Sequence, residues 1–374
     1  MLIGIDASRA VETRRTGTET YSLRLIRALI PLSAGHRLRL YTNGQPPAHL
    51  FWDGAAPTGV EVRSMPWPRL WTHLRLSVEM ALRPPDLLFV PAHVLPLIHP
   101  RRSVVTVHDL GYLRHPEAHR PADRRYLAWS TGWNARRASM ILADSAATAA
   151  DLTAAHGVDS ARVRVVYLGR DETLAPVRDG LVLANAQARY GIGGRYLLYV
   201  GTLQPRKNLA RVISAFSQLA SASALADVQL VLAGKRGWLY DDLFTQVARL
   251  GLAGRVLFPG YIPESDLPAL LGGALAFVYP SLYEGFGIPV FEAGACGVPV
   301  ITSNTSSLPE VAGDAALLVD PYDVDAIADA MYRLVTDEAL RAELTRRGAE
   351  NVKRFSWEKC ARETLAVLEQ AGRC

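Results

Sequence analysis

The chain has 374 residues, 49% of them hydrophobic and 21% charged, enough for two domains of ordinary size and too balanced for a disordered or fibrous protein. Its formal net charge of +5 is unevenly divided: residues 1–172 hold 22 Arg and no Lys against 15 acids, and the remainder holds 19 basic residues against 21 acids. No apolar run reaches the roughly eighteen residues a membrane span needs, and the three dispersed cysteines, Cys296, Cys360 and Cys374, offer neither a disulfide frame nor a metal knuckle and read as free thiols.

In chain order, Met1 to Asp6 reads as a strand ending in an acid. No basic stretch leads from it into an apolar segment and a cleavage site, so the expected location is the cytoplasm. The loop Arg14 to Thr20 carries Gly17, where a backbone without Cβ lets a ligand approach closely. Further strands are expected at 38–41, 87–90, 104–107, 140–143 and 163–166, with helical stretches between them. This half also holds Arg101-Arg102, Arg124-Arg125 and Arg136-Arg137 among Trp67, Trp71, Trp129 and Trp133. Any one such pair is also what a solvated helix face carries. No nucleic-acid module accompanies them, so the combination is read for an anionic membrane surface or a lipid-linked substrate and against nucleic acid. Where the run 104–107 ends, Thr106-Val-His-Asp-Leu110 offers His108 and Asp109 to a ligand.

Between Gly169 and Gly194 no strong apolar strand appears and Pro176 interrupts the chain, so residues 173–194 are expected to be a linker. It would separate a first domain, 1–172, from a second, 195–355, with a final helix, 356–374, capped by Ser356 and packing back toward the first domain. Strands in the second half are expected at 196–200, 228–233, 256–258, 275–279, 300–301 and 317–319. Two such series imply an α/β protein with two doubly wound parallel sheets.

Two stretches of the second half carry most of the chemistry. Tyr199-Val-Gly-Thr-Leu-Gln-Pro-Arg-Lys-Asn-Leu209 is a strand, a basic loop and a helix start: two cations and helix amides are what a departing diphosphate needs. Glu284-Gly-Phe-Gly-Ile-Pro-Val-Phe-Glu292 places a glycine hinge and a proline-started helix between two carboxylates. Gly285 and Gly287 permit close approach, and Glu292 is expected in the first helical turn, so both acids can accept hydrogen bonds from one polyol. Each feature alone is also what a surface turn or a dipole-complementing charge looks like. Together, after an apolar strand and before another, they mark the carboxyl edge of a parallel sheet, where open α/β sheets bind ligands. Asp323-Val-Asp325 has a metal-like spacing but precedes a helical pattern, and capping explains it better.

These stretches resemble the retaining glycosyltransferases of family four, also called group 1, which have the GT-B fold: two Rossmann-like domains facing across a cleft. The resemblance covers nearly the whole chain and is strongest at Gly201 to Leu209 and Pro280 to Pro321. It implies a nucleotide-diphosphate-sugar donor bound mainly by the second domain and a glycan or lipid-linked acceptor bound by the first. It further implies that Arg206 and Lys207 hold the diphosphate, Glu284 the sugar hydroxyls and Glu292 the ribose. His108 would reach the donor sugar or its phosphate, and the Gly17 loop would close over the diphosphate. Gly285, Phe286 and Gly287 would supply backbone amides, and Tyr261 and Ile262 would meet the nucleobase. Thr202 stands where several members have Arg, which leaves Arg206 and Lys207 as the evident cations of that loop. The form Gly-Thr-x-x-Pro-Arg-Lys-Asn is similar to a polysaccharide mannosyltransferase branch, making GDP-mannose the first donor expected and a UDP-glucose type the second. No metal and no other cofactor is expected. A sugar-nucleotide epimerase, a phosphorylase of the same architecture and a non-catalytic sugar-nucleotide binder remain alternatives. A dinucleotide oxidoreductase is disfavoured, because no Gly-x-Gly-x-x-Gly follows the first strand.

Overall fold

The computed structural model describes every residue except 14–16, 48, 93, 221–222, 238–239 and 374. The chain divides into two compact units, Met1–Gly169 with Phe355–Cys374, and Arg170–Arg354.

The first unit holds an all-parallel sheet of strands β1 (Leu2–Asp6), β2 (Arg37–Thr42), β3 (Val60–Ser64), β4 (Leu87–Val90), β5 (Ser103–Val107), β6 (Met140–Ala143) and β7 (Val163–Val165). Their spatial order is β3-β2-β1-β4-β5-β6-β7. Strands β4, β5 and β6 are buried along their whole length, the mark of a parallel sheet covered on both faces. The expected runs fall on these strands except β3, which the sequence reading missed. Val60-Glu-Val-Arg-Ser64 is a half-buried edge strand whose mixed composition gives little apolar signal.

The second unit holds β8 (Tyr196–Val200), β9 (Gln229–Ala233), β10 (Val256–Gly260), β11 (Ala276–Tyr279), β12 (Val300–Ser303) and β13 (Ala316–Val319), again all parallel, in the order β10-β9-β8-β11-β12-β13. In each sheet the winding reverses once, between β1 and β4 and between β8 and β11. Such a reversal splays the loops at the carboxyl ends apart and opens a crevice for a ligand.

The expected linker differs from the structure. Residues 173–194 lie inside the second unit, where Asp179 caps the helix Gly180–Arg189 by accepting from Leu181 and Val182. Arg189 and Tyr190 then both bond Asp266 Oδ2, at 2.7 and 2.6 Å, which ties the helix down. The helix's apolar stretch, Leu181 to Ala184, is short, exposes Leu181 and Val182, and follows Pro176, so the segment does not stand out from a linker. The last helix, Trp357–Arg373, begins with Ser356 Oγ accepting from Lys359 N at 3.1 Å and packs along the helix Gly17–Leu32 of the first unit. His36 Nε2 meets Glu369 at 3.0 Å across that pairing. None of the described helices is long and apolar enough to cross a membrane.

Candidate active site

Pairing of β8 with β11 sets Leu197 beside Ala276 and Leu198 beside Phe277, so the loops leaving these strands are neighbours although the paired positions are 79 residues apart in sequence. The β8 loop makes a single 3-10 turn, Pro205–Lys207, and hands over to the helix Leu209–Leu219 through Asn208, which takes the left-handed φ of +63°. Asn tolerates that conformation better than most residues, and its side chain is put to use. Asn208 Nδ2 donates to the carbonyls of Pro280 and Pro321, at 3.0 and 2.6 Å, and Leu282 N donates to Arg206 O at 2.9 Å. The two loops are thereby stitched together.

The stitching delivers three charges to one place. Lys207 Nζ donates to Glu284 Oε1 and to the Tyr279 hydroxyl, both at 2.5 Å, and Tyr279 donates to Glu284 Oε1 at 3.1 Å. Arg206 Nη1 donates to Glu284 Oε2 at 3.2 Å and to the Tyr283 carbonyl. Lys207 and Glu284 are buried. Burial by itself would raise the Glu284 carboxyl, but the Arg206 and Lys207 charges and the Lys207 hydrogen bond outweigh it and hold it down to about 2. Both carboxylate oxygens are therefore occupied and the group of three keeps one net positive charge.

Glu284 is also fixed through its backbone. Its amide donates to Ser306 Oγ at 3.1 Å, while Ser307 Oγ lies 2.9 Å from the Glu284 carbonyl and 2.8 Å from that of Phe286. Gly287 has φ +102°, and a Cβ there would come within 2.7 Å of Leu308 Cδ2, so only glycine fits. The helix Ile288–Ala295 starts directly after it, with no side chain capping its first amides. Pro289 has no N–H and Val290 N donates to the Gly287 carbonyl at 3.0 Å, so the amide this turn can direct to an anion is that of Ile288. Phe286 is buried against Phe291 rather than presented to a ligand, so its backbone alone can serve one.

The second acid departs from expectation. The helix begins at Ile288, which puts Glu292 in its second turn, not its first. Gly287, by taking a left-handed conformation, fixes that start, and sequence spacing does not reveal it. Burial, then the charges of Asp171 and Glu264, push the Glu292 carboxyl up to about 8. At neutral pH it is therefore protonated and can donate as well as accept a hydrogen bond.

Thr202 is exposed and its carbonyl accepts from the Tyr199 hydroxyl at 3.1 Å. Ile262 is buried, whereas Tyr261 is 59% exposed with Lys235 Nζ 5.0 Å from its ring centre. Asp323 accepts from the amides of Asp325 and Ala326 and so caps the helix Val324–Thr336.

In the first unit His108 directly follows β5. Its Nδ1 lies 2.7 Å from Asp144 Oδ2 and its Nε2 3.0 Å from the Pro91 carbonyl. Asp109 accepts from Gly111 N at 2.9 Å, which forms a local turn. Gly17, expected in a loop, is instead the first residue of the helix Gly17–Leu32, and Arg14, Arg15 and Thr16 lie outside the described residues. Two of the four tryptophans are not surface groups. Trp71 is buried with Nε1 donating to the Met65 carbonyl at 2.7 Å, and Trp133 packs against the core with Arg137 stacked 4.9 Å from its ring.

Residues 187–351 match the family described as glycosyl transferases group 1, and residues 15–174 match glycosyltransferase family 4. The O-antigen chain mannosyltransferase B of Escherichia coli is 38% identical over 265 residues, which is 71% of this chain and 69% of that protein. The chain belongs to the family 4, group 1 glycosyltransferases. A second E. coli relative, the serotype-specific mannosyltransferase WbdA, is 34% identical over 184 residues, 48% of this glycosyltransferase and 22% of the relative. Among solved structures, Anabaena Alr3699/HepE in complex with UDP and glucose superposes with a TM-score of 0.73 at 19% identity, covering 98% of this chain and 99% of that one. WaaG, a glycosyltransferase involved in lipopolysaccharide biosynthesis, does so at 0.72 and 16% identity, covering 98% and 99%. These likenesses establish the two-sheet GT-B architecture.

Four residues that fix the candidate side chains were not singled out from sequence: Asn208, Tyr279 and Ser307 around Glu284 in the second unit, and Asp144 beside His108 in the first. Asn208 closes the motif Pro-Arg-Lys-Asn and Tyr279 ends an expected strand, so their positions were visible. Asn208 reaches Pro280 and Pro321, 72 and 113 residues on, and Tyr279 meets Lys207, 72 residues back, and no local pattern encodes these pairings.

Proposed function

We propose that this glycosyltransferase is a retaining, metal-independent hexosyltransferase that moves mannose from GDP-mannose, or in second place glucose from a UDP-glucose-type donor, to a glycan or lipid-linked saccharide during synthesis of a cell-surface polysaccharide. The observation that carries the reading is the meeting of Arg206, Lys207 and Glu284 at the point where the second sheet reverses its winding. Mannose and the polysaccharide acceptor are supported by the 38% identity to the O-antigen chain mannosyltransferase B.

In this mechanism the Arg206 and Lys207 cations and the backbone amide of Ile288 stabilise the charge that grows on the diphosphate as the glycosidic bond breaks. Glu284 holds sugar hydroxyls, Glu292 the ribose, and His108 serves the transferred sugar. With both Glu284 oxygens taken up by Lys207, Tyr279 and Arg206, this carboxylate is poorly suited to attack the anomeric carbon. The departing phosphate therefore takes the acceptor's proton on the same face of the sugar. Asp323 and Asp325, the pair with metal-like spacing, are occupied by helix capping and by Gln218, which supports a metal-free route. Incubation with a panel of nucleotide sugars and a mannan-type acceptor should give transfer from GDP-mannose with the donor's anomeric configuration, unaffected by chelator. An inverted product, or complete loss of turnover in EDTA, would overturn the mechanism.

The same reading places the enzyme at the inner face of the membrane. Its support is a band of the first unit in which Trp129, 41% exposed, meets Tyr126 at a tilt and His73 edge-on, with exposed Leu74 following His73 and Arg124 and Arg125 preceding Tyr126 in the chain. Aromatic and basic side chains together suit an anionic bilayer interface. The enzyme should co-sediment with vesicles rich in phosphatidylglycerol at low salt, less so with phosphatidylcholine alone, and Trp129→Glu with Leu74→Glu should reduce binding at least tenfold. Equal recovery with both lipids, or unchanged binding by the double variant, would remove this placement.

A further inference from the structure

His108 joins three strand ends of the first sheet. It leaves β5, its Nε2 reaches the Pro91 carbonyl beyond β4, and its Nδ1 reaches Asp144 beyond β6. A carbonyl only accepts, so Nε2 carries a hydrogen. One more proton lies between Nδ1 and Asp144 Oδ2, and only two arrangements satisfy the 2.7 Å contact: an imidazolium with a carboxylate, or a neutral imidazole with a carboxylic acid. In either case no nitrogen lone pair is left to accept a proton from a substrate.

The surroundings decide between them. Asp144 is buried, and its Oδ1 has no hydrogen-bond partner among the described residues. Asp109, the next residue in the chain, adds a second negative charge near the ring. Tyr21 packs edge-on at 4.8 Å, with its hydroxyl directed to Thr106 at 3.2 Å, and burial keeps that phenol neutral. Cys360, from the last helix, is buried, and burial with the Asp144 charge keeps its thiol protonated. Thr148 Oγ1, at the start of the helix Ala146–His156, donates to the His108 carbonyl at 3.4 Å. The charges acting on the ring are the carboxylates of Asp144 and Asp109; burial opposes the imidazolium and also raises the Asp144 carboxyl, but the Asp144 charge and hydrogen bond, the Pro91 carbonyl and Asp109 together outweigh it at the ring and raise His108 above an ordinary histidine.

We propose that Asp144 is a positioning residue that holds His108 as a cation over the working pH range, so that His108 serves sugar transfer as a fixed positive charge and not as a proton acceptor. The proposal rests on the reading of His108 as a residue of the donor site. It assigns the Asp-Ser-Ala-Ala-Thr stretch after β6 a part in the reaction that its sequence does not announce.

Nitrogen-15 spectra of the imidazole rings in the intact enzyme test the charge state without substrate. In wild type at pH 8 both His108 nitrogens should be protonated, and in Asp144→Asn one of them should be a bare lone pair. Kinetics supply the second arm. In Asp144→Asn the group that raises His108 is gone and burial is left to disfavour the imidazolium, so the cation should be scarce at pH 8 and kcat lowered by at least about tenfold, with recovery toward wild type as the pH is lowered. A merely structural aspartate would lower activity at all pH values alike. A bare Nδ1 in wild-type His108 at pH 8, or an unchanged pH profile in the variant, would overturn the proposal. Absence of turnover on every nucleotide sugar in wild type would instead overturn the donor-site reading and leave the spectroscopic arm standing.

Discussion

Replacing Lys207 by Met is expected to lower turnover on the nucleotide sugar by about a thousandfold, with the protein still folded. The ammonium is buried between the Glu284 carboxylate and the Tyr279 hydroxyl, so it is held in place before any ligand arrives and needs no reorganisation as charge develops on the diphosphate. Preorganised donors of this kind are each worth roughly 10²–10³ in rate, and loss of a full charge in a water-poor site lies at the upper end. Arg206 does not substitute for it, since its guanidinium is committed to the Tyr283 carbonyl and to the other oxygen of Glu284. Met preserves the stem's packing, which separates lost charge from lost volume. The drop should fall on kcat more than on KM, because the interaction strengthens as the bond breaks. A variant within tenfold of wild type would show that Lys207 only anchors Glu284.

How much of this was legible beforehand differs from residue to residue. The strands are short, buried and apolar, and the order of apolar runs, basic loop and glycine hinge was enough to expect doubly wound sheets with ligand groups at their carboxyl ends. Arg206, Lys207 and Glu284 could be expected in one site because adjacency of β8 and β11 follows from the winding rule and not from any contact in the sequence. Their detailed arrangement could not. That Glu284 neutralises part of the cationic pair in the free enzyme depends on a stitching asparagine and on a tyrosine at a strand end. Edge strand β3 was passed over because its alternating composition carries no apolar run, and the helix Gly180–Arg189 because its apolar stretch, Leu181 to Ala184, is short and lies between Pro176 and Gly191. Trp71 and Trp133 were read as surface groups because a tryptophan beside an arginine looks alike whether its ring is stacked in the core or open to a membrane.

The acid side of the stability curve should report the same three charges. Glu284 sits at about 2 in the folded protein against an ordinary 4.5, a depressed value, so its contribution is present in full above about 4.5 and is lost as pH falls through about 2. A difference of that size in a buried carboxyl corresponds to about 3 kcal/mol of folding free energy. Glu284→Gln removes the term and leaves Lys207 buried beside a neutral amide, so at pH 7 the variant should be less stable than wild type by roughly 3–5 kcal/mol. The gap between the two proteins should then narrow steadily between pH 4.5 and pH 2, because wild-type Glu284 becomes the neutral group that the variant already carries. Other carboxyls titrate in the same range, among them Asp227 and Glu343, which their arginine partners hold down to about 2, but they are common to both proteins and cancel in the difference. Urea unfolding at a series of pH values, followed by a fluorescence signal from the second unit, measures the gap directly. Adding Lys207→Met to Glu284→Gln should restore part of the lost stability, since the double variant buries neither charge alone. A gap that stays constant down to pH 2 would mean that Glu284 is not held as an anion by Arg206 and Lys207, and the electrostatic account of the site would fail with it.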